Sequence, residues 1–204
     1  MNHLVFLILI FSSFVFCENK TYHVSYKWPC PLAEEIKPCT CNSWFYGQGE
    51  IGIFCEDVTD INEIERVFSV EFPFNDLHGI ELTIKNKDVW EQSEPVVLPA
   101  NIFKDKTTKR ITIAMKVKEI DPDTFNNTAH TIERLNIDGL WDWNGAGLIY
   151  ANPIQNFSLN MLQSFPNFES LRLAGTMLDD AVFEDANPPF SEMDFPNMGN
   201  YTIT

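Results

Sequence analysis

From residue 77 onward, the sequence contains several copies of a short apolar pattern. In each copy, apolar residues alternate with other residues over a few positions, and the next copy follows further along the chain. The cleanest copy runs from Phe168 to Leu178 and fits L-x-x-L-x-L-x-x-N-x-L, with Thr176 at the asparagine position. Looser copies begin at Leu77, Thr108 and Ile132. The spacings between the central anchors are 31, 24 and 36 residues, and these anchors are Ile80, Ile111, Leu135 and Leu171. An irregular series of this kind predicts stacked strands that share one core.

Each strand is expected to be followed by a return segment. The segments ending at Phe103 and Phe125 place a phenylalanine at matching points 22 residues apart, each after a proline and a turn-forming Asn or Asp. We therefore predict an α/β fold with a short parallel sheet on one side and irregular segments on the other, whose phenylalanines point beneath the strands. The alternative is an ordinary α/β domain in which the I-x-I pattern arises by chance.

The first residues predict a secretory leader. Residues 4 to 16 are apolar, which matches the length of a signal-peptide core and is shorter than a membrane-spanning helix. The small residues before the boundary favour cleavage after Cys17, so 1–17 is a predicted signal peptide and 18–29 an extension. An uncleaved anchor and a buried helix are the alternatives. We therefore expect a secreted, extracellular protein.

Removal of the leader would leave four cysteines: Cys30, Cys39, Cys41 and Cys55. An even set in an oxidising compartment favours two disulfides. Zinc is the competing interpretation, but the spacing lacks the paired C-x2-C elements of a tetrahedral site. The same compartment favours N-glycosylation at the four sequons, which start at Asn19, Asn126, Asn156 and Asn200.

The charge and the motifs limit the classes of function. Acidic residues outnumber basic ones by 29 to 14, giving a net charge of -15, which disfavours nucleic acid and membrane surfaces as partners. The sequence has no G-x-S-x-G, P-loop or H-E-x-x-H motif. The predicted disulfides also use the remaining cysteines. We therefore expect no enzyme activity, no cofactor and no metal.

The cysteine segment carries a specific resemblance. Cys30-Pro31, Cys39-Thr40-Cys41 and Ile53-Phe54-Cys55, directly upstream of the repeats, resemble the amino-terminal cap of extracellular leucine-rich-repeat proteins. The resemblance implies a solenoid with a disulfide-bonded cap over 30–70, repeats over 71–180 and a tail over 181–204. It also implies the pairs Cys30 with Cys41 and Cys39 with Cys55, although the spacing by itself permits three pairings.

A narrower likeness involves residues 71–76 and the repeat at 168–178. These stretches look most like secreted arthropod leucine-rich-repeat proteins, which are often named after the non-catalytic subunit of a shrimp luciferase. The chain departs from the wider family in three ways. Two repeats are lengthened, the usual ladder asparagine is missing, and no carboxy-terminal cysteine cap is present.

In such repeats, the residues between the core leucines face a concave surface that commonly binds ligands. Three of the four arginines of the chain fall on this predicted surface. Arginine suits anionic groups, so a site for an acidic protein patch or a sulfated glycan is one hypothesis. The other is that these arginines pair with carboxylates of the same chain. The predicted ligand-binding residues are Glu81, Arg110, Thr112, Arg134, Asn136, Asp138 and Arg172.

The tryptophan-rich segment from Trp141 to Gly147 follows the third strand. Its aromatic residues are expected either to contact a partner or to fill the core. We thus predict a secreted leucine-rich-repeat protein that recognises an extracellular protein or glycan through its concave face. The alternative is a non-catalytic structural or accessory subunit of a secreted hetero-complex.

Overall fold

A computed structural model describes residues 30–43, 50–142, 147–178, 181–184, 186 and 200–203. The predicted leader, the extension and Asn19 lie outside these residues. The strands are β1 (Thr40–Ser43), β2 (Ile51–Glu56), β3 (Asp76–Thr83), β4 (Val96–Leu98), β5 (Thr107–Ala114), β6 (Val117–Ile120), β7 (Arg134–Asp138), β8 (Leu140–Asp142), β9 (Gly147–Tyr150), β10 (Asn156–Phe157), β11 (Ser170–Ala174) and β12 (Asn200–Ile203). The α-helices are α1 (Ile61–Ser69), α2 (Lys87–Gln92) and α3 (Ala181–Glu184), and 3-10 helices occur at Ala129–Thr131 and Leu159–Ser164.

The main sheet has seven strands in the order β1-β2-β3-β5-β7-β11-β12. Its strands run parallel except for β1, which pairs antiparallel with β2. The predicted anchors lie side by side in register and are almost fully buried; they are Ile80, Ile111, Leu135 and Leu171, with Ile53 of β2 extending the row. The predicted α/β class with a parallel sheet is therefore confirmed.

The return segments differ from the prediction. Instead of being irregular throughout, three of them form a second parallel sheet in the order β10-β6-β4, with a register shift between Val96 and Val97. Backbone groups beside a buried core need hydrogen-bond partners, and neighbouring return segments at matching heights provide them. The expectation of irregular convex segments was wrong for these stretches.

A row of phenylalanine rings runs through the core. Phe103 and Phe125, the matched pair of the sequence pattern, stack with their ring centroids 6.0 Å apart. Phe68 packs edge-on against Phe103 at 5.2 Å, and Phe165 against Phe125 at 5.8 Å. Aromatic pairs in these arrangements contribute roughly 0.5–1.5 kcal/mol each beyond the area that they bury. The rings therefore join successive return segments into one apolar cluster.

Two disulfides tie the beginning of the described chain to this sheet. Cys30 is bonded to Cys41 and Cys39 to Cys55, which are the pairs that the family resemblance implied. The second bridge ends on β2, which pairs with β3, so the disulfide-bonded segment is continuous with the main sheet. Helix α1 follows, and Asp60 caps it by accepting a hydrogen bond from the backbone N–H of Asn62.

The sequence pattern missed the last strand of the main sheet. β12 pairs parallel with β11, with Tyr201 opposite Leu171 and Ile203 opposite Leu173. The alternation Tyr201-x-Ile203 is a signal that could have identified it, because it repeats the spacing of the two anchors of β11. The stretch 181–204 thus contains a strand that extends the sheet.

A buried asparagine supports the turns that follow the strands. Nδ2 of Asn152 donates to the backbone oxygens of Met115 and Asp138, and its Oδ1 accepts from the backbone N–H of Val117. These three bonds satisfy backbone groups after β5, at the start of β6 and at the end of β7. The sequence pattern missed this role because Asn152 lies outside the repeated positions.

Candidate binding face of the main sheet

The seven residues predicted to bind ligand all lie on the face of the main sheet that points away from the core. Arg110 and Arg134 are register partners on β5 and β7. Another row crosses four strands at matching heights and consists of Glu81, Thr112, Asn136 and Arg172. Asp138 lies two residues beyond Asn136 on β7. The alternation of buried and accessible residues along each strand produces this face.

Polar contacts connect neighbouring strands across the face. Nε of Arg172 donates to Oδ1 of Asp138 at 2.9 Å. Nδ2 of Asn136 donates to Oγ1 of Thr112 at 3.3 Å. Side chains that are held by their neighbours lose little conformational freedom when a partner binds. The centre of the face is therefore partly organised in advance.

A second charged row, which the sequence pattern did not single out, lies where the strands begin. Nζ of Lys109 is 2.8 Å from Oε1 of Glu133, and Nη2 of Arg134 is 3.5 Å from Oε2 of Glu169. Each pair joins adjacent strands and is at least partly exposed to solvent. Exposed pairs of this type contribute little to stability, about 0–1 kcal/mol, so their main effect is on the charge pattern of the surface.

These contacts bear directly on the arginine hypothesis. Arg172 and Arg134 each pair with a carboxylate of the same chain, which is what the competing interpretation expected. Arg110 lies close enough to Glu81 to favour its ionised form. An anionic ligand would have to compete with these carboxylates, so the face is better described as a charge-matched polar surface than as a cationic site.

Burial shifts the pKa values of three side chains on or beside the face. It raises the pKa of Glu81, against the opposing attraction of Lys85 and Arg110. It raises the pKa of Asp138, although the hydrogen bond from Arg172 acts in the opposite direction. It lowers the pKa of His78, whose Nε2 is 3.4 Å from Oε2 of Glu50. Partial removal from water thus outweighs the local charge pairing at each of these groups.

A shallow cleft of about 250 Å3 opens beside the beginnings of the strands. Its lining surface is mostly apolar, and hydroxyl groups at its edge are already bonded. Oγ1 of Thr107 donates to Oδ1 of Asp76, and Oγ1 of Thr131 exchanges hydrogen bonds with the backbone of Thr108. The cleft is lined by Asp76, Leu77, Thr107, Thr108, Lys109, Thr131, Glu133 and Asn167.

The tryptophan-rich segment forms a two-stranded antiparallel ribbon of β8 and β9. Trp141 is partly buried, and its Nε1 is a buried atom without a hydrogen-bond partner among the described residues. Leu148 and Ile149 of β9 are exposed. The residues 143–146 lie outside the described part of the chain.

The structure describes three of the four predicted glycosylation sites. Asn126 is exposed in the turn after β6, and Asn156 is exposed at the start of β10. Both belong to return segments and not to the main sheet. Asn200 is the first residue of β12, and Asn19 falls outside the described residues.

The described residues lack two further features that would indicate function. They contain no group of three or more His, Cys, Asp or Glu side chains placed to hold a metal ion. None of the helices in the described part of the chain is both long and apolar enough to cross a membrane.

Comparison with known proteins gives one informative similarity. No model of a known protein family matches the chain, and no solved structure matches it. The chain is 25% identical over 176 residues to the Oplophorus-luciferin 2-monooxygenase non-catalytic subunit of Oplophorus gracilirostris. The match covers 69% of this chain and 46% of that subunit, so this chain spans about half the length of its relative. The protein is thus similar to a subunit whose name describes it as non-catalytic.

Proposed function

We propose that the chain is a non-catalytic subunit of an extracellular complex and that it binds its partner protein through the outward face of the main sheet. The observation that carries this proposal is the two-sided character of that sheet. One face is packed on a continuous apolar core, whereas the other presents polar side chains in register across four strands, from Glu81 to Arg172. The similarity to a non-catalytic subunit supports the same function.

The proposed architecture is a leucine-rich-repeat solenoid with a disulfide-bonded amino-terminal cap. Alternation of main-sheet strands with parallel return strands supports it, because this arrangement follows from a chain that coils around one core. In this interpretation, the face that carries Asn136 is concave, and Asn152 takes over the task of the missing ladder asparagine. β2 and the two disulfides would cover the first coil.

Secretion is part of the proposal. Two disulfides in a small domain are typical of oxidising compartments. The apolar segment 4–16 would direct the chain there, and exposed Asn126 and Asn156 would be available for glycosylation. A glycan at either position would be attached to a return segment and would leave the outward face of the main sheet open.

The direct test measures the mass of the native assembly. The protein is purified from its natural secretion, and its mass is determined by light scattering after gel filtration, followed by identification of co-purifying chains. We expect a stable complex with a second polypeptide. A monomer in the native secretion, without a co-purifying chain, would contradict the subunit function.

A pair of variants tests the face itself. Asn136→Arg adds a bulky charge at the centre of the face, whereas Gln155→Arg adds the same charge to an exposed position beside β10. With the co-purified partner as the probe, we expect Asn136→Arg to weaken association at least tenfold and Gln155→Arg to have no effect. Equal behaviour of the two variants would exclude this face as the contact surface.

The second candidate function is recognition of an anionic group by the arginines, as in a sulfated glycan. The placement of Arg110 beside Arg134 favours it. Heparin fragments are a suitable probe, and Arg134→Glu should abolish their binding if the site exists. Unchanged binding with intact folding, or no binding by the wild type, would remove this candidate.

A further inference from the structure

The ribbon of β8 and β9 is fixed to the protein by close backbone contacts. A Cβ atom added to Gly139 would lie 2.4 Å from the backbone oxygen of Tyr150 and 2.7 Å from that of Gly175. Just after β9, the backbone N–H of Asn152 donates a hydrogen bond to the backbone oxygen of Gly175, and the backbone oxygen of Asn152 accepts one from the N–H of Met177. The base of the ribbon is therefore packed tightly against the segment that follows β11.

The ribbon also contacts α2. The hydroxyl of Tyr150 donates a hydrogen bond to Oε1 of Glu91, and Nζ of Lys87 lies 5.9 Å from the centre of the Tyr150 ring. Lys87 and Glu91 are themselves 3.7 Å apart. Contacts on two sides thus hold β9 in a defined position above the ends of the strands.

Despite this rigid placement, the ribbon presents apolar side chains to solvent. Leu148 is 42% exposed and Ile149 37% exposed, and nearby Met177 is 58% exposed. A side chain at Gly175 would collide with Leu148, which places Leu148 beside the segment that carries Met177. The other large hydrophobic residues exposed in the described part of the chain are Leu32 and Val97. Clustered exposed apolar residues commonly mark a binding surface.

The backbone of β9 adds a second feature. Within the described residues, β9 pairs with β8 alone, and no described strand is bonded to its other edge. Exposed strand edges are templates for strand addition by another chain. Alternate side chains of the added strand would then lie over Leu148 or Ile149.

The charge of the protein limits the chemistry of such a strand. Asp142 lies on β8, and the chain carries a net charge of -15. A second copy of this chain would be repelled. A segment rich in Lys or Arg would be attracted, and the electrostatic field would increase its rate of association. Apolar residues in the same segment would cover the exposed side chains of β9.

We propose that the edge of β9, with Leu148, Ile149 and Met177, is a docking site for an extended basic segment of the partner protein. The segment adds a strand to β9 and places apolar residues between its Lys or Arg residues. This inference rests on the proposed subunit function, and it assigns to the partner a contact separate from the outward face of the main sheet.

The test uses a synthetic octapeptide in which Lys and Val alternate, titrated into the isotopically labelled protein and followed by amide NMR shifts. We expect shifts centred on 147–150 and 177. A backbone N-methylated version of the peptide and a Glu–Val version should bind at least tenfold more weakly. Shifts confined to other strands, or equal binding of the N-methylated peptide, would overturn the proposal.

Matched variants make the assignment specific. Ile149→Lys should weaken binding of the Lys–Val peptide at least tenfold, whereas Val97→Lys, at a 45% exposed position on β4, should not change it. Equal losses would indicate general charge repulsion and contradict the site. A peptide-free dimer that Ile149→Lys dissociates would identify a second copy as the occupant and also contradict it.

Experiments on the native complex distinguish a failure of the docking site from a failure of the proposed subunit function. If Ile149→Lys still enters the complex with unchanged affinity, the docking site is wrong and the subunit function stands. If the wild type is a monomer in its secretion, the subunit function fails, and the peptide titration still decides whether β9 accepts a basic strand.

Discussion

Arg172 on β11 donates a 2.9 Å hydrogen bond from Nε to Oδ1 of Asp138 on β7, yet the pKa of Asp138 is raised. The side chain of Asp138 is only 15% exposed, and the loss of hydration outweighs the attraction of the guanidinium. The pair therefore orders the outward face of the main sheet, while the ionised Asp138 carries a cost in stability. The contact with Arg172 provides the order, whereas the burial of the carboxylate causes the cost.

Asp138→Asn should show this cost in the pH dependence of unfolding. A folded-state pKa above the unfolded value means that the native state binds the proton more tightly, so wild-type stability falls as pH rises from about 3.8 through the raised pKa. The free energy of unfolding of the wild type, relative to the variant, should therefore decrease across that window. Denaturant titrations at several pH values measure it, and a difference that increases with pH would contradict the prediction.

Asn152→Ala should be strongly destabilising. It removes the partners of the backbone groups of Met115, Val117 and Asp138 in a buried site. Because unsatisfied buried groups are costly, we expect a loss of about 3 kcal/mol or more in the free energy of unfolding. Asn167→Ala is the control, since exposed Asn167 donates one bond to the backbone oxygen of His130, and its loss should cost less than about 1 kcal/mol.

The disulfide between Cys39 and Cys55 should stabilise the amino-terminal segment slightly more than the disulfide between Cys30 and Cys41, because its sequence separation is 16 and not 11. The double variant Cys39→Ser, Cys55→Ser opens a link with a sequence separation of 16, which the chain-entropy estimate values at about 3 kcal/mol. Thermal unfolding of the variant, compared with Cys30→Ser, Cys41→Ser, measures the effect. Free-thiol titration of the unreduced wild type should detect no thiol from these four residues, and a positive result would contradict the pairing.

Three glycines test how the ribbon is held. Gly139→Ala introduces a clash with backbone oxygens and should cost about 1–3 kcal/mol. Gly147 has a φ of 87° and open space around it, so Gly147→Ala measures backbone strain alone, about 1 kcal/mol. Gly175 has a φ of 60°, and its added Cβ would meet only the end of the exposed Leu148 side chain, which can shift, so Gly175→Ala should cost less than Gly139→Ala. If all three variants have equal stability, the ribbon is not packed as described.

Asn126 and Asn156 should both carry N-glycans in the secreted protein. Both are exposed, and mass spectrometry before and after enzymatic deglycosylation measures their occupancy. Asn126→Gln is the appropriate variant, because Thr128 of the same sequon is buried and bonded to the backbone oxygen of Phe125, so its removal would also affect folding. Neither Asn126→Gln nor Asn156→Gln should weaken partner binding through the main sheet.

Local sequence patterns predicted much of the main sheet. The anchors Ile80, Ile111, Leu135 and Leu171 meet in one register because alternation within a strand assigns each residue to a face. The seven predicted face residues share the outward side for the same reason. β12 escaped detection because its pattern follows a proline-dotted stretch, and the second sheet because β4 and β10 are too short to show a period.

The sequence by itself determined the α/β class, the buried positions of the strands and the presence of cysteines able to form two bridges, since these follow from periodicity and composition. Only the tertiary structure decided that Arg172 faces Asp138, that Asn152 serves three distant backbone groups and that Leu148 stays exposed. These outcomes depend on distances between segments far apart in the chain. Pairwise electrostatics and close packing act through space, and no local pattern contains those distances.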